Sequence, residues 1–197
     1  MYLCKKILKN EEKILPLNPK KTKKLLVIGD NAVRLHANGG GSAEIKALYE
    51  ISPLLGIKCL LGGNCEVTYT PGYYVPSKAE SDKNWQEDSL KDQDCEERQK
   101  SLNEKEKAMQ EKLRNEAVAL AAQYDDVIFI GGLNHDYDVE GYDRDTMELP
   151  YEQDALICEL LKVKPDMPVV MLAGNPVTMD KWLDKAKTVI WMGYYGM

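Results

Sequence analysis

Between His135 and Arg144 the chain gathers an imidazole, four carboxylates and a guanidinium: His135, Asp136, Asp138, Glu140, Asp143 and Arg144. Ionisable side chains this close together are what ligand binding and proton transfer require. Asp143 beside Arg144 is also the composition of a structural ion pair that holds a loop, and His135 that of a supporting hydrogen-bonder. The same run equally describes a solvated acidic loop in which Asp136 and Asp138 bond only to loop amides. On these residues alone both readings stand.

The elements around the run decide where it can sit. Val127-Ile-Phe-Ile130 follows two aspartates and stops at Gly131-Gly132. A short apolar run ended by glycines predicts a strand covered on both faces, as in parallel sheets. Open α/β sheets bind ligands outside the carboxyl ends of their strands, and the polar run begins where this strand ends.

Other buried strands are predicted at Lys24–Asp30, Met167–Gly174 and Thr188–Met192, and an alternating one at Cys65–Thr70. Helices are predicted between them. Ser52-Pro53 supplies an N-cap and first-turn proline for a helix through Leu60, a firmer signal than the helical spacing over 42–51. A charged helix over 89–123 carries one apolar stripe and docks only through Glu116–Ala122. Pro150-Tyr151 starts a helix through Leu161, and Met179–Lys187 forms a short one. Trp182 and Trp191 are expected in the core. Strands alternating with helices predict right-handed crossovers: a three-layer α/β sandwich, its mostly parallel sheet of five to six strands covered by helices on both faces.

Residues 1–22 are expected to be a short helix and linker arriving from a preceding or partner domain, and 23–197 the sandwich, with 78–114 a charged helical insertion. The last strand has no helix after it, which predicts a domain that continues in a larger protein.

Composition narrows the function classes. A formal net charge of −6 and a pI near 5.1 give no basic face for nucleic acid. No apolar run is long enough to span a bilayer, and the charged start is not a signal peptide. Cys4, Cys59, Cys65, Cys95 and Cys158 form no C-x-x-C pair, so reduced thiols in a cytoplasmic chain are expected, with a secreted or periplasmic parent left open. No metal-ligand spacing is present. Gly39-Gly40-Gly41-Ser42 follows a strand, but G-x-G-x-x-G is absent, so no dinucleotide is predicted and no cofactor is expected.

A set of motifs in fixed order is more specific than any of these signals. Leu-Lys-Asn (8–10), Ile-Leu-Pro-Leu (14–17), Val-Ile-Gly-Asp-Asn (27–31), Gly-Gly-Gly-Ser (39–42) and Ser-Pro-Leu-Leu-Gly-Ile (52–57) come first. Gly-Leu-Asn-His-Asp-Tyr-Asp-Val-Glu-Gly-Tyr-Asp-Arg (132–144), Leu-Pro-Tyr-Glu-Gln-Asp-Ala-Leu-Ile (149–157), Ala-Gly-Asn-Pro-Val (173–177) and Trp182-Leu183 follow. Outside 78–114, the series resembles the α/β-sandwich domain of glycoside hydrolase family 3, the β-glucosidase-like enzymes.

The resemblance implies a two-domain retaining enzyme. A (β/α)8 barrel supplies the nucleophilic aspartate, and the sandwich lends a loop carrying the acid/base carboxylate, matched here by Glu140. It implies that the loop of Gly39, Gly40, Gly41 and Ser42 lines the cleft near the leaving-group sugar; Arg34, His36 and Asn38 are further candidates there. His135, Asp143 and Arg144 would support the Glu140 loop. The substrate implied is a β-linked glucoside or xyloside, the partner the barrel, with self-association possible where the barrel face is bare. No stretch resembles the family's nucleophile motif, and Gly193-Tyr-Tyr-Gly196 departs from its Trp-Tyr-Pro-Gly segment. A non-catalytic, flavodoxin-like module binding a sugar or nucleotide is the rival from another class.

Overall fold

A computed structural model of the chain describes residues 5–36, 47–76, 103–138 and 144–194. Within them a six-stranded sheet runs in the order β1-β6-β5-β4-β2-β3. The strands are β1 (Lys5–Asn10), β2 (Lys24–Ile28), β3 (Glu66–Thr70), β4 (Asp126–Gly132), β5 (Val169–Leu172) and β6 (Thr188–Met192). Every pairing is parallel except that of β1 with β6. Among the described residues, three α-helices cover the sheet: α1 (Pro53–Leu61), α2 (Glu104–Ala121) and α3 (Gln153–Val163).

Alternation along the strands builds two apolar clusters, because successive side chains point to opposite faces. Leu26, Ile28, Val127, Phe129, Val169, Met171 and Val189 face α2 and α3, together with the fully buried Trp182. Leu25, Val27, Ile130 and Leu172 face the other way, where Leu54, Ile57 and Leu61 of α1 pack on them. This is the expected sandwich, and β4 is covered on both sides as its unbroken apolar run requires.

The N-terminal expectation is corrected. Lys5–Asn10 is a strand and not a helix, hydrogen-bonded to β6 as an antiparallel edge. Its residues, Lys-Lys-Ile-Leu-Lys-Asn, show no strict two-residue period, and pairing with β6 decides the strand; lysines are typical of edges that must resist further pairing. Lys9 also donates from Nζ to the Leu183 carbonyl at 3.1 Å, tying the edge to the segment before β6.

Three smaller differences have local causes. In α2, Asn103 and Glu106 form a reciprocal capping box. The helix docks from Gln110 and not only from Glu116: the buried Gln110 side chain accepts from the Tyr74 amide at 2.6 Å and donates to the Tyr151 carbonyl at 2.8 Å. Helix α3 starts later than Pro150, because Tyr151 and Glu152 take left-handed backbone (φ 62° and 54°). Residues 179–187 make successive turns and no helix, with Trp182 and Ala186 both drawn into the core.

Candidate active site

Strand β2 has β3 on one side and β4 on the other, and the chain leaves β2 for α1 on one face and β4 for α3 on the opposite face. A crevice therefore opens between the carboxyl ends of β2 and β4, the switch point where such sheets hold ligands. Two glycines turn the chain out of the sheet there. Gly29 has φ +115° and Gly132 φ +119°, and a Cβ would stand 2.1 Å from the Ile130 carbonyl oxygen and 2.0 Å from that of Leu172, respectively. Only glycine fits either place.

Hydrogen bonds stitch the two strand ends together. The buried Asn31 donates from Nδ2 to the Leu133 carbonyl at 2.9 Å. Arg34 pairs with Asp30 and reaches across with Nη1 to Asp136 Oδ2 at 2.8 Å. Asn134 Oδ1 accepts the backbone amides of Asp136 and Tyr137, making an Asx turn directly after β4. From within the core, Gln153 clasps the last β4 residue, accepting from Gly132 N and donating to Gly132 O, both at 2.8 Å.

Around this crevice lies an aromatic cluster. The His36 ring stacks on Tyr194 at 5.2 Å between centroids, and His135 stands edge-on to both, at 5.0 Å from His36 and 4.8 Å from Tyr194. His36 is 1% exposed. Burial, then the neighbouring His135 and Arg34, lower its pKa from 6.5 to about 4, so it is neutral at pH 7. The Tyr194 hydroxyl donates to Asp138 Oδ2 at 2.8 Å, and burial together with that carboxylate pushes the phenol well above its ordinary range. Asp138 also accepts from the Asn175 side-chain amide. Arg144 donates from Nη2 to the Pro176 carbonyl. Among the described residues no group of His, Cys, Asp and Glu is placed to hold a metal ion.

Of the sequence candidates, His36 and His135 come together, and Arg34 joins Asp136 beside them. His135 makes ring contacts with His36 and Tyr194 and is not the hydrogen-bonder expected from the sequence, its Nε2 having no hydrogen-bond partner among the described residues. Of the two readings left open for Asp136 and Asp138, bonding to loop amides alone does not describe them, since their carboxylates bind Arg34, Tyr194 and Asn175. Arg144 holds a carbonyl from the segment after β5. Glu140, Asp143, Gly39, Gly40, Gly41, Ser42 and Asn38 lie outside the described residues. Sequence reasoning missed Tyr194, Asn175 and Gln153. Their partners are far away in sequence, and the one available signal was position, just past the end of a strand for Tyr194 and Asn175.

The match to a family model settles the chain's family: residues 7–197 fit the glycosyl hydrolase family 3 C-terminal domain. The chain belongs to that family. It is 36% identical over 192 residues to the β-glucosidase BoGH3A of Bacteroides ovatus, a match covering 95% of this chain and 22% of that enzyme. Among solved structures, it superposes on a family 3 exo-β-xylosidase in complex with a xylobiose aziridine probe (TM-score 0.67, 27% identity, 96% of this chain and 20% of that one). The β-glucosidase of Kluyveromyces marxianus in complex with glucose shares the fold at TM-score 0.73 and 21% identity, over 96% of this chain and 37% of that one. This family 3 domain thus spans about a fifth of the length of the curated relative it matches over most of its own length.

Proposed function

We propose that this family 3 domain carries the general acid/base of a retaining β-glycosidase acting on a β-linked glucoside or xyloside, with Glu140 in that role. The nucleophilic carboxylate belongs to a (β/α)8 barrel partner. Glu140 protonates the departing glycosidic oxygen while the barrel carboxylate attacks the anomeric carbon. The same residue then deprotonates the water that releases the sugar. Retention needs the two carboxyl groups ~5–5.5 Å apart, so the loop bearing one must be held firmly over the other.

The observation that carries the reading is the tethering of both shoulders of the 139–143 segment to one place. Asp138 is bound to Asn175, and Arg144 to Pro176. Glu140 is two residues along the chain from the first tether and four before the second. A solvated acidic loop with no task needs no such pair of anchors at the carboxyl edge of a sheet. The relatives' names, β-glucosidase and β-xylosidase, support the substrate class.

The test is Glu140→Ala in the complete enzyme of this domain and its barrel. Hydrolysis of a disaccharide should slow by ~10²–10⁴-fold, the usual worth of general acid/base assistance. Formation of the glycosyl-enzyme from a dinitrophenyl glycoside, which needs no proton, should be spared. Azide should restore turnover and yield a β-glycosyl azide. Equal losses on both substrates with no azide effect would put the acid elsewhere.

A further inference from the structure

We propose that Asp138 is a positioning residue for the acid/base loop, a role that rests on the reading of Glu140 above. Its carboxylate is the point where three strand ends meet. Asp138 itself follows β4, Asn175 follows β5 and Tyr194 follows β6, and both of the latter donate to it. Its backbone amide is fixed as well, donating to the Asn134 carbonyl at 2.7 Å.

The surroundings are shaped for this carboxylate. A Cβ on Gly174 would come within 2.7 Å of the Tyr194 ring and 3.1 Å of Asp138 Oδ2, so the β5 end approaches closely only because that residue is glycine. Behind Tyr194, the stacked His36 and the edge-on His135 pack against its ring, whose hydroxyl meets Asp138. None of the three clamp residues belongs to either apolar cluster. The clamp therefore fixes where the chain leaves Asp138, two residues before Glu140, and adds little to the core. Fixing that departure matters because misplacing a catalytic group by about 1 Å can cost ~10²-fold in rate.

The chemistry of the clamp predicts which substitutions it tolerates. In Asp138→Asn the new amide can donate to the Tyr194 oxygen while its carbonyl accepts from Asn175, so both links survive without the charge. In Asp138→Ala both are lost. Tyr194→Phe removes one.

The experiment measures kcat and KM of the complete enzyme on a disaccharide and on a dinitrophenyl glycoside, for these variants and for Glu140→Ala. Asp138→Ala should lower kcat on the disaccharide by ~10²-fold with KM little changed, and the glycosylation rate on the dinitrophenyl substrate by less than about threefold. Asp138→Asn should recover most of the loss. Tyr194→Phe should fall between, and the double variant with Asp138→Ala should be no slower than Asp138→Ala alone. Equal losses on both substrates from Asp138→Ala would make the residue merely structural and overturn the proposal. An Asp138→Asn enzyme as slow as Asp138→Ala would overturn it too, because charge and not position would then matter. If Glu140→Ala shows the leaving-group dependence and Asp138→Ala does not, this inference alone falls. If Glu140→Ala lacks that dependence, the underlying reading falls with it.

Discussion

Gln153 is where the sequence departs most plainly from an all-apolar interior, and it yields the firmest quantitative expectation. The side chain is completely buried. Its amide pairs with both polar groups of Gly132 at 2.8 Å and donates also to the Pro150 carbonyl at 3.0 Å. Gly131 must be glycine to admit it, since a Cβ there would lie 2.3 Å from Gln153 Oε1. Gln153→Met keeps the length and removes every one of these bonds. A buried backbone group left without a partner costs ~1–3 kcal/mol, so leaving the Gly132 amide and carbonyl both unpaired should cost ~2–6 kcal/mol. In a chain of this size each kcal/mol lowers the thermal midpoint by about 2–4 °C.

Gln153→Glu separates hydrogen bonding from packing. As a carboxylate it can still accept from the Gly132 amide, but it faces two carbonyls with no proton to offer. Protonated, it regains a donor. Its folded pKa should therefore rise above the unfolded value near 4.3, so stability is retained below that value and lost as pH climbs through the folded pKa. Urea denaturation of the chain from pH 4 to pH 8 is the assay. A Gln153→Met variant within about 1 kcal/mol of the parent would refute the reasoning. So would Gln153→Glu and Gln153→Met curves that run parallel across pH.

Three further outcomes are expected. His36 is neutral in the fold, with its pKa lowered from 6.5 to about 4; its stabilising contribution is complete above pH 6.5, falls away toward pH 4, and amounts to roughly 3 kcal/mol at ~1.4 kcal/mol per unit. His36→Gln should flatten that part of the denaturation profile, and an unchanged acid limb would rule the residue out as its source. The chain on its own should hydrolyse no aryl β-glucoside, since the proposed nucleophile belongs to the barrel partner; turnover abolished by Glu140→Ala would contradict this. Leu48, Tyr49, Ile51, Leu55 and Leu60, around α1, are exposed, so the isolated chain should self-associate and bind a hydrophobic dye. Leu55→Glu with Leu60→Glu should reduce both in sedimentation and fluorescence measurements, and no change would place the contact elsewhere.

The parts of this fold that were legible in sequence are those whose signal is local. An apolar run closed by glycines gave β4, and Ser52-Pro53 gave α1, where Ser52 Oγ does cap the Leu55 amide at 3.3 Å. β1 was misjudged because Lys5–Asn10 lacks a clean alternation, Pro16 and Pro19 behind it suggested a linker, and no local feature announces pairing with a strand near residue 190. The candidate site divides the same way. His36, His135 and Arg144 could be picked out by type. The clamp on Asp138 could not, since Asn175 and Tyr194 lie 37 and 56 residues away. Only their position, just past the ends of β5 and β6, sets those two donors apart from other Asn and Tyr.

Stability and placement are divided between different residues at this edge. Gln153 and Trp182 are wholly buried and belong to the folding balance; Trp182 donates from Nε1 to Asp154 at 2.7 Å inside the core, and removing such a bond unfavourably exposes its partner. Asp138, Asn175 and Arg144 are partly or fully exposed, and bonds of their kind at a surface contribute little to folding. Substitutions in the first group should therefore shift denaturation midpoints, while those in the second should leave the midpoints nearly alone and change rates. A clamp of partly or fully exposed groups joining three strand ends makes little sense as a stabilising device. It makes sense where the segment it launches has to meet something outside this domain, as the proposed acid/base would if it is to stand ~5–5.5 Å from a partner's carboxylate.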